Sequence, residues 1–161
     1  MRILAIDPGN LESAYVVLDG NLRPLYKEKT DNYGLLNAIE CNDFDGVDYI
    51  AIEMIASYGM SVGQEVFDTC VWIGRFYEVL KHVGKIKLIY RKEEKMNLCN
   101  TMKAKDSNII QALIDRFAPG VQNKGKGHKA SPGWFYGFSK DIWQAYAVGV
   151  TFYDLHIKEV K

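Results

Sequence analysis

The chain opens on Ile3-Leu4-Ala5-Ile6, an unbroken apolar run with no polar alternation, which is the pattern of a strand buried on both faces. It ends at Asp7, and Pro8-Gly9 turns the backbone away. Ser13–Leu18 reads as a second strand, Asp19-Gly20-Asn21 as a hairpin turn, and Leu22–Lys29 as a third, more polar strand nearer the edge. Asp31 is placed to cap a short helix over Tyr33–Glu40, and an acidic loop, Asn42–Asp48, follows. Tyr49-Ile50-Ala51-Ile52 then repeats the first design, again ending in one acid, Glu53. With a fifth strand over Ile86–Tyr90, the pattern predicts an α/β fold. Its five-stranded mixed sheet has three antiparallel strands, then parallel ones, flanked by helices.

Three helices are legible from their spacing. Over Gln64–Val83, residues Val66, Ile73, Phe76/Tyr77 and Leu80 form an apolar stripe, and Phe67, Cys70, Val71 and Trp72 widen it beyond one face. Such a helix wants a second covering surface, so a central core role and a dimer contact are both expected of it. Asp106–Phe117 carries Ile109/Ile110, Leu113/Ile114 and Phe117 inward. The last helix, about Ser139–His156, aligns Asp141, Gln144/Ala145, Val148 and Phe152 on one face. Residues 118–140 show little regular pattern and read as a mobile basic loop. Met54–Gly63 reads as a flexible loop with Tyr58 and Met60 near its tip, side chains that either fold back onto the core or act as a wedge entering an opened base step.

At 161 residues and 48% hydrophobic, the chain fits one globular domain, residues 1–161. No apolar run approaches a membrane span and no signal-like segment precedes the Arg2 strand, so no membrane partner is expected. Three widely spaced cysteines, Cys41, Cys70 and Cys99, form no CxxC pair and point to a reducing compartment, the cytoplasm. The formal net charge of zero conceals a division. Residues 1–80 hold 5 Lys/Arg against 13 Asp/Glu, and residues 81–129 hold 12 against 4. An acidic half followed by a basic half suits a metal–carboxylate site beside a polyanion-binding surface, whereas scattered charge on solvated faces is the plainer alternative.

The candidate chemistry sits on the strand ends. If the two apolar strands are parallel neighbours, Asp7 and Glu53 leave the sheet at the same carboxyl edge, where open α/β sheets hold their ligands. Asp7 alone could cap the turn. Two adjacent carboxylates stay ionised only around a cation, and hard oxygen donors without a Cys/His cluster indicate Mg²⁺, with Mn²⁺ able to substitute. Asp141 either favours its own helix dipole or completes that site. Asp106 is either a helix N-cap or a supporting ligand. Arg91, Lys92 and Lys95 at the exit of the fifth strand, Lys103 and Lys105 before the Asp106 helix, and the glycine-spaced Lys124, Lys126 and Lys129 are candidates for holding phosphates. Most of the aromatics Trp134, Phe135, Tyr136 and Phe138 are assigned to packing.

Ile6-Asp7-Pro8-Gly9, Ala51-Ile52-Glu53 and the final helix from Asp141 through Gln144 to Gly149 together resemble the RuvC-type Holliday junction resolvases, above all the bacteriophage branch. Ser57-Tyr58-Gly59-Met60, Trp72-Ile73-Gly74-Arg75-Phe76, Ala104-Lys105-Asp106 and Ser131-Pro132-Gly133 extend the resemblance over nearly the whole chain. It implies a ribonuclease H-like fold, a homodimer, and Mg²⁺-dependent resolution of four-way DNA junctions by paired nicks, with two metal ions per site. It further implies Asp7, Glu53 and Asp141 as catalytic metal ligands, and host cytoplasm as the location if the chain is phage-encoded. Gln144 stands where the family's closing pattern has a second acid, which leaves Gln144 or Asp106 to complete the site. The rivals are a nuclease for broader branched DNA or RNA–DNA hybrids, and a junction-binding protein with weak turnover.

Overall fold

The structure, a computed structural model, describes residues 1–57 and 59–158. Five strands form one sheet: β1 (Arg2–Asp7), β2 (Glu12–Asp19), β3 (Pro24–Asp31), β4 (Tyr49–Met54) and β5 (Lys85–Tyr90). They lie in the order β3-β2-β1-β4-β5. β1 pairs antiparallel with β2 and parallel with β4, β2 pairs antiparallel with β3, and β4 pairs parallel with β5. This is the mixed five-stranded sheet the pattern predicts, with polar β3 at one edge.

The unbroken apolar runs follow from burial on both sides. Ile3 and Ala5 of β1 and Ala51 of β4 enter one core, beneath α4 (Asp106–Phe117) and α5 (Lys140–Tyr153). The alternate residues Leu4, Ile6, Ile50 and Ile52 enter a second core beneath α1 (Asn32–Glu40) and α2 (Gln64–Leu80). Gly149 lets α5 lie close on the sheet, since a Cβ there would stand 2.9 Å from the Ala5 Cβ and 2.6 Å from Leu18 Cδ1. α1 starts as its sequence predicts, with the Asp31 side chain accepting from Gly34 N at 2.9 Å.

Three differences from the sequence pattern have physical causes. β3 begins at Pro24 rather than Leu22 because Leu22 takes a left-handed conformation (φ 65°) and the Asp19 carboxylate accepts from Asn21 N and Arg23 N, prolonging the turn. A helix absent from the pattern, α3 (Arg91–Cys99), starts directly where β5 ends. Its fully buried residue is Glu94, and the apolar residues it packs on the core, Leu98 and Cys99, lie together at its end, so hydrophobic spacing leaves no stripe to detect. Finally, residues 118–140 are more structured than a bare loop. They contain a 3₁₀ turn (Asn123–Gly125) and a small hairpin of β6 (Gly127–His128) and β7 (Ser131–Pro132). Phe135 and Phe138 are buried, and Trp134 stacks on Phe117 while donating to Tyr146 Oη at 3.0 Å. The aromatics therefore pack, as expected, but at positions with no period. Among the described residues no helix is long and apolar enough to cross a membrane.

Candidate active site

The register sets the centre of the site. Ile6 pairs with Ile52 in the parallel β1–β4 ladder, so the next residues, Asp7 and Glu53, emerge side by side at the carboxyl edge. The turn behind Asp7 is held by a buried polar network. Ser13 Oγ donates to Asn32 Oδ1 at 2.6 Å, and Asn32 Nδ2 donates to Gly9 O at 2.9 Å. Gly9 is required there, because a Cβ would meet Glu12 O at 2.3 Å.

Asp7 and Glu53 are within hydrogen-bonding reach of each other. Burial, and then the neighbouring Glu53 charge and hydrogen bond, push the Asp7 carboxyl from 3.8 up to about 9, with smaller contributions from Glu94 and Asp141. Without a cation, the pair keeps a proton between its oxygens at neutral pH. Glu94 enters from α3. It is fully buried, its Oε2 accepts from Arg91 Nη1 at 2.6 Å, and its Oε1 has no partner. Burial first, and then the Glu53 charge, raise its carboxyl well above the usual range, against the lowering effect of Arg91.

Asp141 and Asp7 line one cleft of about 250 Å³, together with Gly9, Asn10, Leu11, Glu12, Ala14 and Lys29. The Asp141 carboxylate lies 3.0 Å from Lys29 Nζ, which also pairs with Glu12 at 2.8 Å. Among the described residues, no three acidic, histidine or cysteine side chains already stand as a coordination sphere. Of the three acids expected to converge, Asp7 and Glu53 end neighbouring strands, while Asp141 shares a cleft with Asp7 and is paired to a lysine. Gln144 is buried one turn further along α5, with neither amide atom hydrogen-bonded. Asp106 is the first residue of α4 rather than its N-cap, which is Lys105, and its carboxylate is bound by Arg91.

The residues fit a hard divalent cation: Asp7 and Glu53 offer carboxyl oxygens alone, and beside them Glu94 has a wholly buried oxygen with no hydrogen bond. Glu94 is the functional candidate that sequence reading missed. The signal for it was Glu93, three residues beyond Tyr90, whose Oε2 accepts from Tyr90 N at 2.7 Å and marks a helix start. A larger cleft, about 540 Å³ and lined by Tyr15, Tyr26, Glu28 and Phe44 among others, lies elsewhere and holds none of these acids.

The expected phosphate contacts divide into two groups. Lys92, Lys103, Lys105, Lys124 and Lys129 are exposed, and Lys95 is half-buried. Arg91 and Lys126 differ from expectation: Arg91 is held by Glu94 and Asp106, and Lys126 Nζ donates to Phe138 O at 2.7 Å. Their charge satisfies the protein's own oxygens. Met60 is 71% exposed rather than folded onto the core, and Tyr58 lies outside the described residues.

No protein-family model matches the chain, and no curated protein matches it. Among solved structures, Thermus thermophilus RuvC in complex with a Holliday junction substrate matches at a TM-score of 0.66 and 14% identity, over 96% of this chain and 94% of that one. A second Thermus thermophilus RuvC structure matches at a TM-score of 0.65 and 14% identity, over 96% and 95% of the two chains. The fold of this chain is therefore RuvC-like over 96% of its length.

Proposed function

We propose that this chain is a structure-selective DNA endonuclease that resolves four-way junctions by metal-dependent phosphodiester hydrolysis, acting as a homodimer and belonging with the bacteriophage RuvC-type enzymes. The observation that carries this reading is the Asp7–Glu53 carboxylate pair on adjacent parallel strand ends of a RuvC-like fold. Asp7, Glu53 and Asp141 would hold Mg²⁺ or Mn²⁺, with Gln144 or Asp106 completing the set. When bound, the metal supplies a more acidic water and charge stabilisation for the leaving 3′ oxygen.

The chain's own residues do the rest. The Ser13–Asn32 network and Gly9 hold the Asp7 turn in place, so the carboxylate is oriented before substrate arrives. Lys29, at the cleft beside Asp141, would hold a backbone phosphate there if Asp141 were engaged as a metal ligand. Exposed Lys92, Lys103, Lys105, Lys124 and Lys129 supply the sequence-independent part of binding. Met60, exposed in the loop after Glu53, would serve as the wedge. On α2, Phe67 and Val71 are more than half exposed one turn apart, which supports a second copy as their cover.

A junction-binding protein with weak turnover is the second reading, favoured by the Lys29 contact that draws Asp141 away and by the neutral Gln144. Labelled four-way, flap and linear DNA with Mg²⁺, Mn²⁺ or chelator separates the two. Paired symmetric nicks on the four-way substrate, lost with Asp7→Asn while binding persists, support the endonuclease. Binding without nicks under all metals supports the second reading. Equal cutting of linear DNA would reject junction selectivity.

A further inference from the structure

α3 brings a carboxylate to the carboxyl edge that no part of the sequence pattern announces. Glu94 has no exposed surface, yet only one of its oxygens is paired. A buried carboxylate oxygen with no donor is costly to hold, and folds keep one where a ligand satisfies it. The free oxygen belongs to a group close enough to Glu53 and Asp7 for all three to repel one another. The other oxygen is fixed by Arg91, which is itself held by Asp106 at the start of α4. Asp7, Glu53, Glu94 and Asp106 thus gather four carboxyl groups around one guanidinium, and hydrophobic packing gives no reason for them. On the adjoining helix, which α3 packs against, Gln144 supplies a buried neutral amide with no hydrogen bond.

We propose that Glu94 is an additional ligand of the metal centre, its free Oε1 facing the ion while the Arg91–Asp106 pair holds its position. This rests on the metal-dependent reading of Asp7 and Glu53. It assigns the acid missing at Gln144 to a different helix, so that the charge of the donor set is restored from α3 rather than from α5.

Mn²⁺ alone, titrated into the full chain and followed by electron paramagnetic resonance and by calorimetry, tests the assignment without reference to cutting. Glu94→Gln should weaken Mn²⁺ binding roughly tenfold or more. In chelator its melting temperature should hold or rise, because a buried repulsion is removed. Should Glu94→Gln fail to fold, Glu94→Asp keeps the charge but withdraws it by one methylene, and it should show the same weakening. Wild-type Mn²⁺ affinity in a folded Glu94 variant overturns the assignment, leaving Glu94 as a structural partner of Arg91. If Asp7→Asn loses Mn²⁺ while Glu94→Gln keeps it, the assignment alone fails. No Mn²⁺ binding by the wild-type chain overturns it together with the reading on which it rests.

Discussion

Metal-free protein should become less stable as pH rises through neutrality, and Asp7 should be the main cause. Its carboxyl is pushed from 3.8 to about 9 in the folded state, chiefly by burial and then by Glu53. A folded pKa above the unfolded one means the fold prefers the protonated acid. The stabilisation is therefore complete below about pH 4 and is lost as pH climbs toward about 9. At about 1.4 kcal/mol per unit, the loss between about pH 6 and about pH 8.5 comes to roughly 3 kcal/mol. That is a large part of the typical stability of about 5–15 kcal/mol. For a chain of this size it corresponds to a fall in melting temperature of roughly 6–12 °C.

The assay is thermal unfolding in chelator across that pH window, repeated with excess Mg²⁺ and with Asp7→Asn. Mg²⁺ should flatten the wild-type profile by replacing the shared proton as the compensating charge. Asp7→Asn keeps the side chain's shape but removes the titration, so its profile in chelator should be no more than half as steep as the wild type's, and its response to Mg²⁺ should be small. A wild-type profile that is level in chelator would refute the reasoning. So would an Asp7→Asn profile as steep as the wild type.

Three further outcomes follow from particular contacts. Replacing Lys103 and Lys105 by Ala should weaken junction binding and shallow its dependence on salt by about one unit of slope per lysine, read by electrophoretic titration at several salt concentrations. Lys29→Met should free Asp141 and raise Mn²⁺ affinity a few-fold, whereas an unchanged affinity would show that the 3.0 Å Lys29–Asp141 contact does not compete with the ion. Gly149→Ala should cost about 1–3 kcal/mol by forcing α5 off Ala5 and Leu18, measured by denaturant unfolding, without changing the nicking products.

The parts of this molecule that the sequence reveals are those where burial leaves a pattern. β1 and β4 are sealed on both faces, so their apolar runs are unbroken and the acids that end them stand out. The parallel register then places Asp7 beside Glu53. α3 leaves no such trace, because its fully buried position is Glu94, its Leu98 and Cys99 meet the core only at its end, and its Met96 is exposed. The aromatic packing of Trp134, Phe135 and Phe138 is equally silent, since it depends on a hairpin rather than on a period. Basic residues are ambiguous for a different reason. A lysine or arginine in sequence carries no sign of whether its partner is a phosphate or a carbonyl, and Arg91 and Lys126 turned inward where Lys103 and Lys105 did not.

On the proposed reading, the same ion pairs give a reason for metal and DNA to act together at this edge. Among the described residues, Asp7, Glu53, Glu94, Asp106, Asp141 and Glu12 stand around the paired cations Arg91 and Lys29. A phosphate diester approaching that cluster meets net negative charge at short range, where screening by salt is least effective. On that reading the exposed lysines would hold a junction without metal but would not bring the reacting phosphate to Asp7 against this repulsion. Footprints of the metal-free complex should therefore cover the flanking arms and leave the cleavage position open. Adding Mg²⁺ should extend protection to that position before any strand is cut in the Asp7-intact enzyme. Full protection in chelator would mean that the acids do not form one electrostatic unit.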